Sequence, residues 1–215
     1  MNDYNRIAWI YDVLAHWVFR GNILKSQTRF LSQLQPNNRV LIIGGGSGRV
    51  LESIVQEDIP LTIHFIEPSE QMIEKARKRE LKSSNLDVSF YQTRFESFDT
   101  SDKYDAVCCF YFLDLFKKKS LNLHLAHIKA LMNNQAILLV SDFQNRKGTW
   151  WQKGLSMVMH VFFKFTTGLE SNKLEDFDCA IVASGFHRDS DADFFSQFIF
   201  SAVYKKEVSK NGNHS

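Results

Sequence analysis

Apolar residues recur along this chain in two rhythms. Short, largely apolar runs stand at Val40–Ile43, Leu61–Ile66, Val88–Tyr91, Tyr104–Phe110 and Ala136–Ser141, and each predicts a strand. Tyr104–Phe110 is apolar almost throughout, as expected of a parallel strand covered on both faces. Between these runs, apolar residues return every three or four positions, the spacing of a helix with one buried face. That rhythm covers residues 3–34 with a break at Gly21-Asn22, so two helices are expected, the second ending before Pro36. It resumes at Val50-Leu51 with Ile54-Val55, over Leu121–Leu131, and at Ala180–Ala183, where Ser184-Gly185 supplies a stop. Glu70–Arg79 predicts a charged helix with Ser69 as its N-cap and Met72 opening its apolar face. Phe194–Tyr204 is apolar on both alternating faces and predicts a strand inside the sheet. Strand and helix alternate, which is the order of an α/β domain.

Composition narrows the class. A chain of 215 residues, 44% of them hydrophobic, is long enough for one well-buried α/β domain. Twenty-six basic residues against 24 acidic ones leave a net charge of +2, too weak a field to gather nucleic acid. Three cysteines, two of them adjacent at Cys108-Cys109 within an expected strand, do not make a disulfide framework and suggest a reducing compartment. The N-terminal residues lack the pattern of a signal peptide, and no apolar run approaches the length of a membrane span. The expectation is a cytoplasmic protein without stable membrane insertion.

The chemistry concentrates at Val40-Leu41-Ile42-Ile43-Gly44-Gly45-Gly46-Ser47-Gly48-Arg49. A strand runs into a glycine cluster and then into a helix. Glycines there let the chain turn sharply and let a ligand approach the backbone closely. The unpaired N–H groups of the following helix favour negative charge at the same place. The spacing is G-x-G-x-G, and Arg49 stands where a dinucleotide fingerprint would need glycine or alanine. That argues against a nicotinamide-dependent dehydrogenase. About twenty residues on, the next strand ends in Glu67-Pro68-Ser69, a place from which a carboxylate accepts both hydroxyls of a ribose.

The glycine spacing, the acidic strand end and the order of elements together resemble the class I S-adenosylmethionine-dependent methyltransferases, over roughly residues 4–205. The resemblance implies a single doubly wound α/β domain, Rossmann-like, with a mostly parallel seven-stranded sheet whose last strand is antiparallel. It implies a domain spanning residues 1–205, with N-terminal helices at 1–36, a cover helix inserted at 149–168 and a flexible tail at 206–215. The implied cofactor is S-adenosyl-L-methionine, and no metal is implied. Gly44, Gly45, Gly46 and Gly48 would cradle its methionine part, and Glu67 would bind the ribose. Pro68, Ser69 and Met72 lie on the adenine side. Arg94 occupies a position often acidic in the family, Phe95 could stack on the purine, and Phe110 or Tyr111 could face the sulfonium. Ile42 stands where the family usually has a carboxylate for the cofactor's amino group. Tyr4, Tyr11, Asp12 and His16 fall where the family's N-terminal segment folds over the cofactor, or else in a helix on the sheet edge.

Methyl transfer from a sulfonium is an in-line displacement with an activated donor, so alignment and exclusion of water carry most of the work. A base is needed only where the acceptor loses a proton. Asp114, in the loop after the fourth strand, is the candidate catalytic residue, either touching the acceptor or capping a helix. Asp142, ending the fifth strand, is a second candidate, and His124 and His127 are expected on a solvated helix face. From Trp150-Trp151 to Phe165 nearly every face of the expected helix is apolar. Such a helix covers an apolar acceptor, forms a homodimer interface, or lies on a membrane surface, the last disfavoured because its polar stripe carries too few cations. The function expected is methylation of a small, apolar or aromatic molecule. The rival is a catalytically inactive binding or scaffold protein that keeps the fold, a reading favoured by Ile42 and Arg94.

Overall fold

The computed structural model describes residues 21–79, 85–144 and 177–207. Helix α1 (Asn22–Thr28) precedes β1 (Arg39–Ile43), followed by α2 (Arg49–Gln56) and β2 (Leu61–Ile66). Next come α3 (Glu70–Arg77), β3 (Leu86–Tyr91), β4 (Tyr104–Phe110), α4 (Lys118–Leu131) and β5 (Met132–Phe143). The described chain closes with α5 (Phe177–Ala183), β6 (Phe186–Phe194) and β7 (Ile199–Lys206). Short 3-10 turns stand at Leu31–Gln33, Phe95–Ser97 and Leu113–Leu115.

The strands form one sheet in the order β3-β2-β1-β4-β5-β7-β6. Pairs from β3 to β5 are parallel, and β7 runs antiparallel to both β5 and β6. This is the doubly wound sheet with an inverted last strand. The strand order reverses between β1 and β4, so their carboxyl ends open the crevice where ligands bind in such folds.

Alternate side chains of each strand enter two separate cores. On one face, Leu41, Ile43, Val107, Leu138, Val140 and Tyr204 pack with Leu121, Leu125 and Ile128 of α4 and with Ile181 of α5. On the other, Val40, Ile42, Ala106, Phe110 and Val203 pack with Leu51 and Ile54 of α2, Ile73 of α3 and the Phe30–Leu34 segment. A sheet covered on both faces explains why its strands read as continuous apolar runs.

Four expectations change. The second N-terminal helix ends at Thr28 and is followed by a 3-10 turn, not by helix up to Pro36. The strand expected over 194–204 begins only at Ile199, because Phe195, Ser196 and Gln197 adopt left-handed backbone (φ 47°, 52° and 66°) and form a turn. The seventh strand, β6, to which no residues had been assigned, precedes that turn on the sheet edge. His124 is buried rather than solvated, because three rings from two loops close over it. Tyr4, Tyr11, Asp12, His16 and the Trp150–Phe165 segment lie outside the described residues.

Candidate active site

At the carboxyl end of β1 the backbone breaks away from the sheet. The amides of Gly44 and Gly45 both donate to the carbonyl of Ile66, at 2.9 and 3.1 Å. Gly44, Gly46 and Gly48 then adopt φ of 66°, 57° and 72°, values that side-chain-bearing residues rarely take. Gly45 is required for another reason: a Cβ there would lie 2.1 Å from the Phe65 ring. A Cβ at Gly46, by contrast, would meet nothing within 4 Å, so this part of the loop faces open space. Arg79 holds the loop from outside, donating to the Ser47 carbonyl and pairing with Glu52.

Glu67 is 8% exposed, and its carboxylate turns toward the glycine loop. One oxygen accepts from Gly46 N at 2.9 Å and the other from Ser69 N at 2.9 Å. Each oxygen keeps a lone pair for a further donor. The sequence-derived pairing of glycine loop and acidic strand end is therefore a direct contact. Ser69 caps α3 through Met72 N at 3.4 Å, while Pro68 and Met72 are exposed beside it.

After β3, Arg94 is exposed and Phe95 is buried, stacked on His127 with ring centroids 4.6 Å apart. His124 lies against Phe116 at 3.9 Å, and both its ring nitrogens face oxygen, Ser120 O at 2.6 Å and Glu96 Oε1 at 2.9 Å. Burial pushes the Glu96 carboxyl up, but hydrogen bonds from its own backbone and from His124 outweigh this and hold it below its usual range. Phe110 points into the core beside α2 and α3.

The loop after β4 lies against the glycine loop. A Cβ on Gly44 would stand 3.4 Å from the Phe112 ring. Tyr111 takes left-handed backbone (φ 55°), donates its amide to Ser141 O at 2.7 Å, and joins its hydroxyl to Ser26 Oγ at 2.8 Å. Ser141 Oγ reaches Ser26 O at 2.9 Å and Ser201 Oγ at 3.0 Å, so α1 is tied to the ends of β4, β5 and β7.

Asp114 and Asp142 meet beside this network. Asp142 is fully buried; its Oδ2 accepts from the amides of Leu113 and Asp114 at 3.1 and 3.2 Å, and its Oδ1 from Phe143 N at 2.9 Å. Asp114 is 9% exposed, gives its backbone amide to Asp142, and leaves its buried Oδ1 without a partner. Burial pushes the Asp114 carboxyl up to about 7. Burial, and then the charge of Asp114, push Asp142 well above its ordinary range as well. Asp114 does not cap α4, whose N-cap is Lys117. Sequence reasoning noted both aspartates but not their contact; its only trace is a carboxylate ending an otherwise apolar strand.

Residues 41–138 match the sequence model of a family described as "Methyltransferase domain". The match runs from β1 into β5, a little under half of the chain. Solved structures similar to it include an S-adenosylmethionine-dependent methyltransferase from Clostridium acetobutylicum. That one is 11% identical, with a TM-score of 0.62, and covers 96% of this chain and 100% of its own. The cyclopropane synthase MmaA2 from Mycobacterium tuberculosis is 12% identical with a TM-score of 0.64, covering 84% of this chain and 82% of its own. The [4+2]-cyclase SpnF is 18% identical with a TM-score of 0.59, covering 85% and 81%. No curated protein sequence matches significantly. At such identities the likeness shows the methyltransferase fold, and a fold alone does not determine a reaction. Among the described residues no helix is long and apolar enough to cross a membrane. Among them, too, no cluster of three metal-ligating side chains occurs.

Proposed function

We propose that this protein is an S-adenosyl-L-methionine-dependent methyltransferase acting on a small, apolar or aromatic molecule. The observation that carries the reading is the contact between Glu67 and the glycine loop at the topological switch point. It brings backbone N–H groups and a carboxylate with free lone pairs to one crevice, which fits a nucleoside bearing a polar tail. The match of residues 41–138 to a methyltransferase family and the likeness to an S-adenosylmethionine-dependent methyltransferase from Clostridium acetobutylicum support that choice of cofactor.

In this reading Gly44, Gly45, Gly46 and Gly48 cradle the methionine portion and Glu67 accepts the ribose hydroxyls. Pro68, Arg94 and Phe95 line the purine side, and Phe110 supports it from the core. The cofactor supplies an activated methyl group on a sulfonium. The chain aligns the acceptor with that methyl and keeps water away. Asp114 is assigned to the acceptor because its loop packs against the glycine turn through Phe112. The apolar character of the acceptor rests on the pattern of residues 149–168.

Incubation with methyl-labelled S-adenosylmethionine and a small-molecule extract tests the proposal. Label should appear in a low-molecular-weight product. Its absence, with intact cofactor binding, would instead favour the binding protein that keeps the fold. That second reading draws on Ile42, which is wholly buried in the core and offers the crevice no charge, and on the exposed cation at Arg94.

A further inference from the structure

A neutral imidazole has one N–H donor and one bare nitrogen, so only the doubly protonated ring donates twice. His124 sets both ring nitrogens against oxygens that offer no hydrogen. Nδ1 lies 2.6 Å from the Ser120 carbonyl and Nε2 lies 2.9 Å from Glu96 Oε1. The Glu96 carboxyl is held below its usual range and is a carboxylate at neutral pH. Both contacts are therefore hydrogen bonds only when both nitrogens carry hydrogen. The surrounding rings also suit a cation. Phe116 is stacked at 3.9 Å, and the Phe95 and Phe112 centroids stand 6.0 Å away, within the reach of a cation–π attraction.

The charged and titratable groups about His124 come from each element packed on it. The loop after β3 brings Glu96 and, acting on that carboxylate, Arg94. On α4 itself His127 stands one turn further on, stacked on Phe95. The loop after β4 brings Asp114, whose amide is bonded to Asp142, and Lys117, the N-cap of α4. His124 thus joins two loops at the carboxyl ends of the strands: Phe95 and Glu96 follow β3, while Phe112, which lies against Gly44, follows β4.

We propose that His124 is a proton-controlled clamp: its doubly protonated ring fastens the loop after β3 to α4 beside the crevice, and loss of one proton frees that loop and weakens cofactor binding. The effect on the cofactor rests on the methyltransferase reading above. With one proton gone, a bare nitrogen faces an oxygen lone pair, and one of the two contacts turns repulsive. Glu96, with its side chain 49% exposed, is the partner that lets go, because water can take its place. The clamp is closed in mild acid and opens as pH rises.

Nitrogen NMR of the full chain, labelled at the histidine rings, tests the clamp first. The His124 ring is recognised by its contacts to Phe116, so no variant has to fold. At pH 6 both of its nitrogens should bear hydrogen, and a bare nitrogen there overturns the proposal. The backbone signals of Phe95 and Glu96 should move with the same pH midpoint as the ring, with or without ligand; signals that stay fixed overturn it too. Calorimetry with S-adenosylhomocysteine should show binding about 5–10-fold tighter at pH 6 than at pH 8.5. In Glu96→Gln the new amide can donate to a bare Nε2, and that ratio should shrink to about 2-fold or less. An equal ratio in the two proteins, or no pH dependence in the unmodified one, contradicts the clamp. Absence of binding at both pH values instead sinks the methyltransferase reading, and the two NMR readouts still judge the clamp.

Discussion

Replacing Asp114 by asparagine should stabilise this protein at alkaline pH while leaving it nearly unchanged in acid. The side chain keeps its shape, and its amide can donate toward Asp142. In the folded chain burial raises the Asp114 carboxyl from 3.8 to about 7. The folded state therefore binds more protons than the unfolded state between those values, and stability falls as pH rises through that window. Below about 4 both states are protonated and nothing is lost. Above about 7 the folded protein carries the full cost of a buried charge, about 4 kcal/mol at most and on the order of 2–4 kcal/mol after relaxation. Urea unfolding at pH 4.5, 6 and 8 measures this directly. The stability difference between Asp114→Asn and the unmodified protein should grow with pH and reach about 2 kcal/mol or more at pH 8. For a chain of this size that corresponds to about 4–8 °C in melting temperature. A difference that is the same at all three pH values would refute the assignment of a buried, near-neutral carboxyl to this position.

Other perturbations probe the rest of the site. Glu67→Gln should weaken S-adenosylhomocysteine binding by about 10–100-fold in calorimetry, through loss of a charged acceptor. It should also cost about 1 kcal/mol in unfolding, because the amide cannot accept from both Gly46 and Ser69. Gly45→Ala should destabilise by about 2–3 kcal/mol in chemical unfolding, since its Cβ would overlap the Phe65 ring. His124→Ala should cost about 2–3 kcal/mol by removing the stack on Phe116 and two hydrogen bonds. Because Glu96 is held below its usual range in the folded state, its share of stability is lost as pH falls through that lowered value. In His124→Ala that acid sensitivity should shrink, as denaturation at pH 3–5 would show.

Parallel strands β1, β2, β4 and β5 were legible because each is buried on both faces, and burial writes itself as a run of apolar residues. β6 was not, since it lies at the sheet edge and carries His187, Arg188, Asp189, Asp191 and Asp193 with only Ser190 and Ala192 between them. Charges of that kind protect an open edge from pairing with another chain, and they erase the strand signal. The apolar run at Phe194–Tyr204 hid a turn, because three successive left-handed residues there include no glycine. His124 was misread for a related reason. Its partners come from two loops, Phe95 from the one after β3 and Phe112 and Phe116 from the one after β4, and no helical period records their convergence. Glycine loop and Glu67 could be read together because their chemistry depends on residue type and on an interval along the chain. The Asp114–Asp142 contact depends on the register of β4 against β5, which only the folded sheet supplies.

Calorimetric titration of the unmodified protein with S-adenosylhomocysteine tests the central claim most directly. The account predicts saturable binding of one molecule per chain, with heat that diminishes sharply in Glu67→Gln. Absence of heat at high protein concentration, or equal binding by the two proteins, would contradict it.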